Sequence, residues 1–184
     1  MPAKLLLHAC CAPCLIGTKP VIDNIGDFDI SCFWYNLNIH PFTEYKSRLA
    51  ALTDYTSGNN INLIVKDYYG LVEFTENVIN KLDERCNYCY ETRIKETVKY
   101  AKENGFDMFS TTLLVSPYQK HEKIKETCEK YAEESGVEFL YADFRANFRN
   151  GQKSAREKNI YMQKYCGCIF SEQERYVGAT IGRP

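Results

Sequence analysis

The chain has 184 residues, a formal net charge of −1, a hydrophobic fraction of 45% and a charged fraction of 26%. That balance suits one globular domain with a real core and excludes recognition of nucleic acid or membrane by bulk charge, leaving such work to local clusters. No stretch approaches the roughly 20 apolar residues of a membrane span, and the apolar run in "KLLLHACC" is too short for a signal peptide. The expected location is therefore cytoplasmic, with no membrane partner. There thiols stay reduced, so the dense clusters among the nine cysteines read as metal or redox sites rather than staples.

In chain order, "AKLLLHAC" predicts a buried strand and "APCLIGTKPVIDNIG" a helix. "FDISCFWYN", rich in aromatic and β-branched residues, predicts a second strand. "HPFTEYKSRLAALTDYTSGNN" predicts a helix opened by proline and a capping Thr43, and "INLIVKDY" a third strand. Two helices follow, "GLVEFTENVINKL" and "CNYCYETRIKETVKYAKENG", the second closing on Gly105. "DMFSTTLLVS" is a fourth strand, "HEKIKETCEKYAEESG" a helix and "VEFLYADF" a fifth strand; "QKSAREKNIYMQKY" is expected to be helical up to the last cysteines. Alternation of this kind predicts an α/β fold, a parallel sheet with helices on both faces, carrying a C-terminal helical extension with cysteines. Residues 1–176 are expected to form one domain and 177–184 a flexible tail. Ligands of such sheets bind beyond the carboxyl ends of the strands. "HACCAPC", Asp67, "TTLLVSPYQ" and "ADFR" are each expected at such an end.

Cys32, inside an apolar strand, and Cys128, mid-helix, read as packing residues. The other seven are grouped: Cys10, Cys11 and Cys14; Cys86 and Cys89; Cys166 and Cys168. Soft thiolates select zinc or iron–sulfur. Seven exceed the four ligands of one zinc, and the spacings favour a [4Fe–4S] cluster drawn from separated segments, with the surplus left for a second metal or redox chemistry. Cys86 and Cys89, one helical turn apart, suit two ligands of one cluster; a thioredoxin-like dithiol there is the alternative. Within so short a run as 10–14 a disulfide is not expected, and adjacent Cys10 and Cys11 are expected to point in different directions. A basic stretch over 145–164 holds six Lys/Arg (Arg145, Arg149, Lys153, Arg156, Lys158, Lys164) against Glu157 alone. Phe148, Tyr161 and Tyr165 are interleaved with it, a pattern suited to single-stranded bases and phosphates.

Six ordered motifs, "HACCAPC", "YNLNIHPFTEYKSR", "RCNYCYETR", "TTLLVSPYQ", "DFR" and "YMQKYCGCIFS", resemble the signatures of QueH-type epoxyqueuosine reductases over roughly residues 5–171. The resemblance implies an oxidoreductase that deoxygenates the epoxide of epoxyqueuosine to queuosine in tRNA with a GUN anticodon. It implies an iron–sulfur cluster without cobalamin and the fold of adenine-nucleotide alpha-hydrolase and PP-loop (HUP) proteins. "HACCAPC" replaces the phosphate-cradling loop of those relatives, so no ATP is expected. The reaction needs two electrons and two protons. A second, mononuclear iron is expected beside the cluster as a Lewis acid, and the electron donor is unidentified. Asp143, His8, Tyr118 and Tyr165 are candidate proton donors. Tyr35, Asn36, Asn38, Glu44, Arg48, Arg93, Ser116 and Gln119, from the motifs, and Arg145, Arg149, Lys153, Arg156 and Lys164 are candidate contacts to substrate and tRNA. A tRNA thiolation enzyme of the same fold, or a metal-stabilised RNA-binding module, is the alternative.

Overall fold

The structure, a computed structural model, describes residues 2–178. Its centre is a five-stranded sheet of β1 (Ala3–His8), β2 (Phe28–Trp34), β3 (Asn62–Val65), β4 (Met108–Thr111) and β5 (Glu138–Phe139). The strand order is β3-β2-β1-β4-β5 and every pairing is parallel. Leu5, Leu6 and Leu7 of the middle strand are wholly buried, as a strand covered on both faces requires. The helices are α1 (Ala12–Ile25), α2 (Phe42–Gly58), α3 (Leu71–Val78), α4 (Arg85–Glu103), α5 (His121–Ser135), α6 (Phe148–Glu157) and α7 (Ile169–Tyr176). The order reverses direction between β1 and β4, which makes the space beyond those two strand ends the natural crevice.

Several boundaries differ from the sequence reading. β4 stops at Thr111 because the Thr111 hydroxyl accepts the Leu113 amide and starts a 3-10 turn over Thr112–Val115. β5 is only Glu138–Phe139, so "ADFR" lies beyond the sheet: Asp143 accepts the Arg145 amide and caps a second 3-10 turn, Phe144–Asn147. Thr43 is not a cap, since α2 starts at Phe42 behind Pro41 with no side-chain cap bond. The basic segment is helical earlier than expected, over Phe148–Glu157, and Asn159, at φ 53°, ends it. Gly105 does take the left-handed conformation (φ 67°) that closes α4. The tail expected over 177–184 falls mostly outside the described residues. Among those described, no helix is long and apolar enough to cross a membrane.

α6 crosses α1 at a contact made by two glycines. A Cβ on Gly151 would lie 2.7 Å from the Gly17 Cα and 3.0 Å from the Pro13 carbonyl oxygen. The Asn147 amide adds a 2.8 Å bond to the Gly17 carbonyl. The close approach fixes the basic helix directly against the helix that carries Cys14.

Candidate active site

β1 delivers its buried chain to a turn in which Cys11 becomes the N-cap of α1 and accepts the Cys14 amide at 3.3 Å. One helical turn then brings the Cys11 and Cys14 Cα atoms to 5.4 Å, within disulfide reach, and the two sulfurs are joined. This corrects the expectation that the run is too short for a bond. It also corrects the diverging Cys10 and Cys11: their sulfurs are 3.9 Å apart. Cys10, Cys11 and Cys14 form one buried cluster of possible ligands, all within 4.8 Å of one another. The Gln163 amide donates to Cys11 Sγ at 2.9 Å and Cys14 Sγ at 3.5 Å.

The second group forms on the other side of Cys166. Cys86, Cys89, Cys166 and Cys168 line one narrow cleft together with Asn38, Arg93 and Gln119. α4 supplies the first pair one turn apart, and the irregular segment before α7 supplies the second. Burial pushes the Cys89 thiol up to about 12, against the pull of Arg93, whose Nη2 lies 2.9 Å from its sulfur. The Cys166 thiol is lowered, first by its hydrogen bond with the Cys168 thiol, then by the Ser171 hydroxyl at 3.0 Å and by Arg48. Cys168, the donor of that pair, is raised. Cys32 and Cys128 are fully buried in the core, as expected of packing residues.

Cys166 also lines the main cavity, of about 630 Å³, beside Cys10 and Cys14. That cavity lies beyond β1 and β4, with Thr112, Leu113 and Ser116 from the β4 side. Its basic residues are Arg48, Arg149, Arg156, Lys164 and Arg175, and among the described residues no carboxylate lines it or the narrow cleft. Such a sulfur donor set without carboxylates, with the Cys11–Cys14 bond reduced, fits a soft metal rather than a hard cation. Gln163 Oε1 and Asn38 Oδ1, buried without a partner, are further polar atoms for a bound group to satisfy.

Tyr118, Gln119, Ser116 and Tyr165 also line the cavity. Tyr118 is 86% exposed, its ring edge-on to Phe148 at 5.8 Å. The Tyr165 hydroxyl donates to the His40 carbonyl at 2.5 Å, leaving its ring in the wall and its proton engaged. His8 is wholly buried in the sheet, its Nδ1 3.0 Å from Thr111 Oγ1, opposite which the β1–β4 register places it, and its Nε2 3.2 Å from the Tyr35 carbonyl. Burial, reinforced by Arg93, lowers its imidazole to about 3, so it is neutral near pH 7, and both ring nitrogens lie within hydrogen-bond distance of protein partners. Asp143 does not line the cavity: hydrogen bonds from Arg145, at 2.6 and 2.8 Å, hold its carboxyl at about 2.

The substrate candidates divide in the same way. Asn36 is buried and donates to the Ala9 carbonyl, Tyr35 is buried against Tyr68, and Arg93 bonds Cys89. Glu44 and Arg48 form a buried ion pair at 2.6 Å rather than a surface one. Of the basic stretch, Arg149, Arg156 and Lys164 reach the cavity, whereas Arg145 pairs with Asp143 and Lys153 with Glu157 at 3.9 Å. Sequence reasoning missed Arg175 and Gln152, both in the lining. Neither stands in a cysteine or aromatic motif, and Arg175 falls after the last of them.

A family model described as epoxyqueuosine reductase QueH matches residues 5–174. Similar proteins include one of that description from Dehalococcoides mccartyi, 39% identical over 176 residues and covering 96% of each chain. Another, from Thermotoga maritima, is 32% identical over 182 residues, covering 93% of this chain and 91% of its own. A third, from Streptococcus pyogenes, is 30% identical over 185 residues, covering 91% and 70%.

Proposed function

The chain belongs to the QueH family of epoxyqueuosine reductases, and we propose that its main cavity reduces the epoxide of epoxyqueuosine in tRNA to the alkene of queuosine. The observation that carries this reading is one cavity, its charged lining cationic among the described residues, onto which Cys10 and Cys14 of the first cysteine group open beside Cys166, the residue that also lines the narrow cleft of the second. Cys86, Cys89, Cys166 and Cys168 would hold a [4Fe–4S] cluster, and Cys10 with reduced Cys11 and Cys14 a second iron. When bound, such metals supply single electrons and a Lewis acid for the C–O bond.

The chain's own residues do the rest. Arg149, Arg156, Lys164 and Arg175 meet the anticodon-loop phosphates. The Tyr118–Phe148 pair offers an aromatic face on which a splayed base stacks. Of the candidate acids, Tyr118 has its side chain at the cavity without a caging partner like those of His8 and Asp143, and we assign it the proton delivered to the leaving oxygen. Gln163 orients Cys11 and Cys14. The strand order supports the HUP-like assignment, residues 1–176 act as one catalytic domain, and the work takes place in the cytoplasm. The cationic lining and the thiols together favour this reading over a binding module without redox chemistry.

The test is an anaerobic assay of epoxyqueuosine-containing tRNA with chemically reduced, iron- and sulfide-reconstituted protein. Queuosine formation with a balance of two electrons per product supports the proposal. Protein that carries intact iron and sulfide, binds the tRNA and leaves the epoxide untouched overturns it.

A further inference from the structure

The segment that carries Cys166 and Cys168 has no regular secondary structure from Ile160 until α7 begins at Ile169. A thiol on such a segment is aimed only if something else fixes its backbone. Here two consecutive carbonyls of it are held by one buried side chain. Arg48 is 1% exposed, and its guanidinium donates through Nη2 to the Tyr165 carbonyl at 2.9 Å and through Nη1 to the Cys166 carbonyl at 3.1 Å. Nε donates to Glu44 at 2.6 Å, and the second Glu44 oxygen accepts the Tyr161 hydroxyl. The charge is therefore compensated on one edge while the fork holds consecutive carbonyls with the other.

The same end of α2 contributes more anchors. The His40 amide donates to the Gly167 carbonyl at 2.7 Å, and the Tyr165 hydroxyl returns to the His40 carbonyl. Gly167, at φ 124°, lies so close that an added Cβ would be 3.1 Å from Ile39 Cγ1 and 3.3 Å from Arg48 Nη1. A larger residue at 167 would thus both strain the backbone and press on the guanidinium.

We infer that Arg48 is a positioning residue: its guanidinium, seated on α2 by Glu44, clamps the Tyr165–Cys168 loop so that the Cys166 and Cys168 thiols face Cys86 and Cys89. This role replaces the substrate contact expected of Arg48 from the sequence. It rests on the reading that Cys166 and Cys168 hold iron. Lysine cannot substitute, because a single ammonium has no planar fork for two carbonyls and Glu44 at once.

The test compares wild type, Arg48→Lys and the double variant Arg48→Met/Glu44→Gln, which leaves no unpaired buried charge. Two quantities are read on folded protein. The first is iron and sulfide retention against a chelator after anaerobic reconstitution, with the electron paramagnetic resonance spectrum of the reduced protein. The second is the alkylation rate of Cys166 in reduced, metal-free protein. Expected are a ~10- to 100-fold loss of iron affinity and an altered spectrum in both variants, with faster Cys166 alkylation in Arg48→Lys, which keeps a positive charge beside the thiol, and unchanged alkylation of Cys86. Wild-type retention and spectrum in either folded variant overturn the inference. If wild type itself takes up no iron and sulfide, it is the proposed function that fails. The alkylation arm still decides the clamp: equal Cys166 rates in wild type and Arg48→Lys overturn it. Should the double variant not fold, Arg48→Lys, which keeps the charge that Glu44 faces, carries both readings alone.

Discussion

Cys10, Cys11 and Cys14 sit where a buried strand becomes a helix, whereas Cys166 and Cys168 sit on a loop whose shape is set by residues more than a hundred positions away. The first group is aimed by the backbone itself: β1 is hydrogen-bonded on both sides, and Cys11 is the cap that starts α1. The second is aimed by a few donors, the Arg48 side chain and the His40 amide, reaching carbonyls. Strand-to-helix turns hold geometry through many cooperative bonds, while a clamped loop depends on a few, each worth about 1.5–3 kcal/mol when charged. A site drawing thiols from both would therefore combine a stiff half with a half held by few bonds.

The largest expected effect comes from the shared thiol. Cys166→Ser removes a group common to both clefts, and acid-labile sulfide and reductase activity should both fall to background, whereas Cys128→Ser should keep both. Retention of full sulfide content by Cys166→Ser would break the assignment of that thiol to the cluster. Next is the stiff half. Gly151→Ala forces a Cβ to 2.7 Å from the Gly17 Cα, so overpacking at the α1–α6 crossing should cost about 1–3 kcal/mol in urea denaturation. An unchanged or raised stability would mean that the crossing yields and that the N-terminal turn is less rigid than argued.

Acid sharpens the same contrast. His8 sits in the stiff half with its imidazole at about 3, below the ordinary 6.5. Below pH 6.5 the unfolded chain takes up a proton that folded His8 refuses, so stability falls as pH drops from 6.5 toward 3, by up to ~1.4 kcal/mol per unit. His40, lowered to about 4 by burial, adds to the slope until pH reaches that value. His8→Gln should flatten the acid limb measured by denaturant titration on metal-free protein; an unaltered limb would show that His8 does not carry it. The smallest effect belongs to the rim. Arg156→Ala should weaken tRNA binding by a few-fold and lower the salt slope of log affinity by about 1; an unaltered slope would remove Arg156 from the phosphate contacts.

How much of this was legible follows from where each interaction originates. The alternation of apolar runs and helices carried the parallel sheet, since strand burial is written in residues such as Leu5–Leu7. The seven clustered cysteines stood out from Cys32 and Cys128 by spacing alone. The extent of β4 and β5 did not, because a threonine and an aspartate ended or redirected the chain through local bonds that compete with a strand. Nor did the fates of the basic residues: equal charges at Arg145 and Arg149 differ only because Asp143 lies within reach of one of them.

The sequence by itself determined the fold class, the family and the identity of the thiols, because periodicity, ordered motifs and residue type are local properties of the chain. Tertiary structure alone decided which thiols share a cleft, that His8 is a caged neutral group, and that Arg48 faces a loop rather than solvent. Those outcomes depend on distances between segments far apart in sequence, and on the desolvation that only packing imposes.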